Sequence, residues 1–451
     1  MNNSQNENVK VPISEKLSYA SGQGGSVVLS ALLSSFMMSY YTDTVLISAA
    51  AIGTMFLIAR VFDGISDVII GALVDKTNTK FGKARPWILA AAPLMAIAIV
   101  LLFCINTNWS DSGKLIYAYI TYIFANVIAY TIFNIAHFAL LAKMTMDVQD
   151  RTNTTTVAMI MNNIVMLLVG GIFTPLVLKF GWRNAAICMG VLSGILILIE
   201  FLGTKERVAV EENSEVEADK IPLGEAVRSL FKNKYFILML LLNLLILLMN
   251  ANSIQAMIYY CNYVLENPLY ISALLSIGNI PSLVVMFLIP GLSKKFSKQK
   301  VMLGCSVLLV VSFVILGLAG NNYYVIMAGV ILKNVAVSPM FALPMAMTAD
   351  IVDYNEYKTG FRSIGLINSG SSVGAKIGIG LGSAVTGFIL AIAGYDGAAA
   401  VQTGAAISGI KFAFSWSGLI LSVGILLVVA GLDIEKKLPE IQSALAERHA
   451  K

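Results

Sequence analysis

Charge is what this sequence has least of. Asp, Glu, Lys and Arg make up 13% of its 451 residues, about half the share usual in soluble globular domains, while hydrophobic residues reach 57%. That balance excludes an ordinary water-facing globule. Histidine is almost missing: His137 stands in an apolar stretch and the second, His449, in the carboxyl tail, so no histidine metal cluster is available. The four cysteines, Cys104, Cys188, Cys261 and Cys305, lie in or beside apolar segments at spacings that suit neither metal ligation nor a disulfide framework, and they read as packing residues. No nucleophile stands beside a base and no glycine loop is built to cradle phosphate, so the chain is not expected to be an enzyme or to need an organic cofactor. A cleavable signal peptide is not expected either, because "MNNSQNENVKVPISE" is polar and has no apolar core.

What is present is apolar sequence in runs. A membrane span takes roughly 20 mostly apolar residues, and twelve such segments can be placed, at 17–45, 48–74, 86–106, 113–142, 154–179, 184–203, 233–262, 268–293, 300–319, 322–347, 362–394 and 410–434. They are spans 1 to 12 below, and they make this an all-α polytopic membrane protein. Of 31 Lys and Arg, only Lys114, Lys179, Arg183 and Lys411 fall in odd-numbered loops and only Arg60, Lys333 and Lys376 inside spans; the rest lie in the amino terminus, the even-numbered loops and the tail. By the positive-inside rule both termini are cytoplasmic, in a plasma (inner) membrane. The net charge of +5 therefore reports topology and not a nucleic-acid partner.

One charged stretch, "TKERVAVEENSEVEADKIPLGEAVRSLFKNK", interrupts the membrane pattern near its middle. It divides the chain into a six-helix half at 1–203, a cytoplasmic linker at 204–232, a second six-helix half at 233–434 and a tail at 435–451. Two six-helix halves around a central path are the architecture of major facilitator transporters. The loop after span 2, "GALVDKTNTKFGKARPW", has a loose counterpart after span 8 in "PGLSKKFSKQKVMLG", each with a glycine shortly before a basic turn.

The charges that remain inside the membrane are informative. Asp63 and Asp67 are spaced i, i+4 and share one face of span 2, with Arg60 placed to neutralise Asp63 at i, i+3. One arginine leaves a second carboxylate over, and an intramembrane charge is costly unless it has a function or a partner. Two carboxylates beside the Ser66 hydroxyl are hard oxygen ligands suited to a monovalent cation: sodium, or a proton shared by mutually raised acids. Asp63 and Asp67 are the metal ligands if the ion is sodium. Span 4 carries Asn126, and on one face Tyr130, Asn134 and His137; span 5 has Asn162 and Asn163; span 7 has Asn250, Asn252 and Gln255; span 11 has Lys376. Amides and hydroxyls at that depth suggest a wet cavity for a polyhydroxylated solute, with Tyr130, Asn134, His137, Asn252 and Lys376 as its candidate contacts. After span 10, "ADIVDYNEYKTGFRS" gathers Asp350, Asp353, Glu356 and Arg362 in what reads as a loop; with Arg151 and Lys143 after span 4 these are a candidate cytoplasmic gate of ion pairs.

These motifs resemble a known family. "YYTD", "ARVFDGISDVIIGALVDKTNTKFGKARPW", "ADIVDYNEYKTGFRS" and "IAGYD" are similar to the signatures of the glycoside-pentoside-hexuronide:cation symporter family (melibiose permease-like) of the major facilitator superfamily. The resemblance runs through most of the chain and implies a twelve-helix major facilitator fold. It also implies a cation site at Asp63, Ser66, Asp67 and Thr131, acidic gate residues at Asp350, Asp353 and Glu356 with Arg151 as partner, and a functional lysine at Lys376. The sugar carboxylates of the melibiose permease fall on Val27 and Asn134, so a different sugar is expected. The resulting expectation is a symporter that imports a sugar or glycoside with sodium or protons by alternating access. The alternatives are a cation-coupled carrier of a lysolipid or other amphiphile, and a non-transporting sensor that retains the fold.

Overall fold

The computed structural model describes residues 10–207, 228, 230–359 and 364–449, and these are almost entirely helical. Span 1 runs as Ile13–Ala31 and continues through Leu32–Phe36, Met37–Ser39 and Tyr40–Thr44; span 2 is Ala49–Lys76 and span 3 Arg85–Leu102. Span 4 is built from Asp111–Tyr122, Ile123–Ala129 and Tyr130–Met144, and spans 5 and 6 share Val148–Gly203. In the later chain span 7 is Lys234–Tyr263, span 8 combines Leu269–Ser276, Ile277–Asn279 and Ile280–Phe296, and span 9 is Lys298–Leu318. Span 10 is Tyr323–Thr359, span 11 Ile364–Ile392, and span 12 joins Gly404–Lys411, Phe412–Trp416 and Ser417–Ala430.

Among the described residues, nine helical stretches are long and apolar enough to cross a membrane. The longest, Gln149–Gly203, has 55 residues. A straight rod of that length would measure about 80 Å against a hydrocarbon core of ~30 Å. Gly181, at φ +77° and ψ 164°, breaks it into spans 5 and 6. A left-handed residue of this kind is cheapest as glycine.

The chain packs as two units. The first holds Met1–Asn213 with the short pieces Pro268–Ser276 and Asp396–Val401; the second holds Ser214–Asn267, Ile277–Tyr395 and Gln402–Lys451. The same pairings recur inside each. Span 1 packs on spans 5 and 6, and span 7 packs on span 11; span 3 pairs with span 6, and span 9 with span 12. Small residues make these approaches possible, as membrane helices have little else to drive association. At Gly25 a Cβ would lie 2.8 Å from the Ser193 carbonyl oxygen, and at Gly374 another would lie 2.9 Å from that of Leu240. Gly378 and Gly382 repeat the contact one and two turns later against Leu244 and Leu248, which accounts for the glycine-rich composition of span 11.

A second recurrence involves carboxylates. Glu206, just after span 6, accepts hydrogen bonds from the backbone N–H groups of Lys83 (2.9 Å), Ala84 (2.8 Å) and Arg85 (2.9 Å) at the start of span 3. Glu435, just after span 12, accepts from Lys298 and Gln299 N–H at the start of span 9, both at 2.9 Å. Each acid satisfies amides that a helix start leaves without partners, and its charge opposes the positive end of the helix dipole. One such cap closes each of the two basic turns, whose sequences match only loosely.

Two expectations about elements change. The stretch holding Asp350, Asp353 and Glu356 is helix and not loop, because span 10 runs on to Thr359. Nothing between Pro344 and Gly360 breaks a helix, so the three acids are spaced at i, i+3 along its last turns. Residues 208–227 and 229 of the expected linker, and Arg362 of the expected gate, lie outside the described residues.

Candidate cation and solute site

Span 2 turns its apolar side chains outward. Val61, Phe62, Ile65, Val68 and Ile69 are exposed in the protein, at positions i, i+1, i+4, i+7 and i+8, while Asp63 is only 5% exposed. Such an inverted helix suits lipid on one side and a polar interior on the other. Arg60 Nη1 donates to Asp63 Oδ2 at 2.7 Å, the i, i+3 pair read from the sequence. The second partner comes from span 4: Asn126 Nδ2 lies 3.1 Å from Asp63 Oδ1 and 3.2 Å from Oδ2.

Asn126 sits in the π-helical stretch Ile123–Ala129. An i→i+5 turn carries one more residue than an α-turn, shifting the faces of the helix across it, and such turns often occur at functional sites. Beyond the shift, Thr131 is buried, and its hydroxyl lies 3.5 Å from that of Ser66. Ser66 also donates to the Asp63 backbone carbonyl at 3.0 Å. Asp63, Ser66, Asn126 and Thr131 are thus one oxygen-rich cluster between spans 2 and 4, with Asp67 half-buried one turn further along span 2. Within the apolar stretch 48–74, span 2 carries two carboxylates and one guanidinium, a net formal charge of −1. Among the described residues, no group of three His, Cys, Asp or Glu forms a candidate metal centre. The cluster's carboxylate and hydroxyl oxygens are ligands of the kind that suit a hard cation.

Tyr130 and Asn134 adjoin this cluster on span 4 and are half-buried, and Gln23 Nε2 of span 1 donates to Asn162 Oδ1 of span 5 at 3.3 Å. The family model described as MFS/sugar transport protein matches residues 18–436. The chain belongs to that family. It is 30% identical to the isoprimeverose transporter of Lactiplantibacillus pentosus, over 98% of this chain and 92% of the relative. It is likewise 30% identical to a putative glycoside/cation symporter, YagG, of Escherichia coli (strain K12), over 88% and 86% of the two chains. A crystal structure of a D-xylose–proton symporter superposes with a TM-score of 0.65 at 14% identity, covering 91% of this chain and 96% of that one. The all-helical major facilitator fold and a multi-pass membrane transporter follow from these matches.

Within this family member, several residues expected at the site are engaged elsewhere. His137 is turned towards spans 6 and 1: it is 1% exposed, its Nδ1 is 2.6 Å from Glu200 Oε1, and Tyr19 stacks on its ring. Asn252 is 0% exposed and bridges three spans. Its Nδ2 donates to the Ala413 carbonyl and the Ser417 hydroxyl, and its Oδ1 accepts from Thr386 Oγ1 at 2.8 Å. Both of its N–H donors and one of the two acceptor sites of its carbonyl oxygen are thereby committed to spans 11 and 12. Lys376 is half-buried on span 11. Arg151 donates to the carbonyls of Thr145 (2.7 Å) and Ala142 (3.1 Å), which caps the end of span 4. Asp350 pairs with Lys298 at 2.6 Å; Asp353 is half-buried and Glu356 buried.

Sequence reasoning missed four acids that the structure places at junctions. Glu200 was legible as the only acidic residue of span 6. Asp150, at the start of span 5, pairs with Lys16 of span 1, and that pairing has no local sequence signal because the partners are far apart in the chain. Glu206 and Glu435 were hidden by lying outside the spans.

Proposed function

We propose that this protein imports a sugar or glycoside in symport with sodium or a proton, by alternating access in the plasma membrane, with both termini cytoplasmic. The cluster of Asp63, Ser66, Asn126 and Thr131 carries this reading, with Asp67 as the second acid of the cation site. A cation entering the cluster offsets the excess negative charge of span 2, and one of the two helices that bind it, span 4, also carries the solute candidates Tyr130 and Asn134. Ion and solute then favour the same packing, so each tightens the other's binding by the same factor. The names of the relatives support a sugar or glycoside as the solute class. Half-buried amides and a phenol, able to donate and accept, suit hydroxyl groups better than an alkyl chain. Lys376 in the second unit is a further solute candidate. Arg151 and the acids Asp350, Asp353 and Glu356 are proposed to hold the cytoplasmic side closed in one state.

The experiment is a thermal-stability screen of the purified protein against glycosides, pentosides and uronides, with and without sodium and across pH. A sugar that stabilises more strongly when its ion is present supports the reading. Stabilisation by lysolipids and by no sugar would overturn it.

A further inference from the structure

Three spans of the first unit converge on a group that the cation cluster does not use. His137 lies six residues beyond Thr131 on span 4, about 9 Å along the helix. Its Nδ1 is 2.6 Å from Glu200 Oε1 of span 6, and the two side chains are 1% and 0% exposed. Tyr19 of span 1 stacks on the imidazole at 3.9 Å between centroids, and Phe133 flanks it at 5.1 Å. The other carboxyl oxygen, Glu200 Oε2, is buried without a hydrogen-bond partner. It rests against Gly22 of span 1, where any Cβ would collide with it.

The charged groups on neighbouring elements are committed elsewhere. Lys16, one turn from Tyr19, pairs with Asp150, and Glu15 pairs with Arg207. Arg85 of span 3 donates to the Phe201 carbonyl at 2.8 Å. His137 is therefore the ionisable side chain that the structure sets against Glu200. An imidazolium with a carboxylate and an imidazole with a carboxylic acid contain the same number of protons, so the dyad is neutral with one proton and carries −1 without it. A net charge in this interior is costly, so the neutral, one-proton form of the dyad suits close packing of spans 1, 4 and 6. Oε2 is the position where the carboxyl can hold the proton without breaking the Nδ1–Oε1 contact.

We propose that His137 and Glu200 form a proton-binding site in the first unit, separate from the carboxylates of span 2, whose occupancy is linked to the packing of span 4 against spans 1 and 6. The consequence for transport rests on the symport reading; the site itself does not. If span 4 shifts when the cation cluster fills, the dyad's proton affinity changes with it, and pH modulates cation binding in return.

Infrared difference spectroscopy of the purified full-length protein, titrated with pH alone and then with sodium chloride, tests this. The wild type is expected to show a buried carboxyl signal that titrates, is absent from Glu200→Gln, shifts in His137→Gln and persists in Asp63→Asn. Should Glu200→Gln fail to fold, the double variant His137→Gln with Glu200→Gln keeps an amide-to-amide bond and must lack the signal. The proposal is overturned if the titrating signals of wild type and folded Glu200 variants coincide, or if the signal disappears with Asp63→Asn instead. Vesicles of Asp63→Asn that still accumulated solute would count against symport while leaving the infrared result unaffected.

Discussion

Asp63 has two unlike partners, and they meet different needs. Arg60 supplies the opposite charge from the same helix, and Asn126 supplies a neutral donor from span 4 that touches both carboxylate oxygens. The arginine limits the cost of a buried charge, whereas the amide ties spans 2 and 4 together at the point where Ser66 and Thr131 meet. Hydrogen bonds to a charged group are worth roughly 1.5–3 kcal/mol. Replacing Asn126 with alanine is therefore expected to weaken cation affinity by about tenfold or more, read from the cation concentration needed to stabilise the protein. Unchanged affinity would show that the amide is not part of the site. Arg60, Asp63, Ser66 and Asp67 were legible because they share one helix, where spacing fixes the face. Asn126 was visible as a polar residue but its target was not, since the π-helical stretch shifts the face on which it lies. The partners of His137 and Asn252 were not legible for a related reason: periodicity gives a side chain's direction along its own helix, but not what the opposite helix offers it.

At the scale of elements, the paired acids Glu206 and Glu435 do for two helix starts what serine or aspartate does locally in soluble proteins, but from across each unit. Loss of a capping side chain costs about 0.5–2 kcal/mol. Glu206→Ala and Glu435→Ala are each expected to lower the unfolding temperature measurably, with solute affinity retained. Equal loss of affinity and stability would instead place these acids in the binding machinery. Helix positions were the most legible feature of the chain, because a run of apolar residues has few other readings. Helix ends were less so: span 10 extends through its acidic stretch, where charge suggested a loop and the absence of glycine or proline meant helix. The pairing of spans 1 with 6 and 7 with 11 depends on glycines meeting distant carbonyls, a complementarity that one strand of sequence does not display.

For the whole molecule, the account makes transport a matter of which packing the bound ion and solute prefer. Arg151 grips the carbonyl end of span 4 and is proposed to meet acids of span 10 in one state. Arg151→Ala should increase labelling of cysteines introduced at the cytoplasmic mouth, and unchanged labelling would remove Arg151 from the gate. The central claim is that discharge of the span 2 carboxylates by a cation drives solute uptake. The most direct measurement compares wild type and Asp63→Asn in membrane vesicles, following accumulation of a sugar selected by the stability screen under an imposed sodium or proton gradient. The account predicts that gradient-driven accumulation is abolished in the variant; full accumulation under either gradient would contradict it.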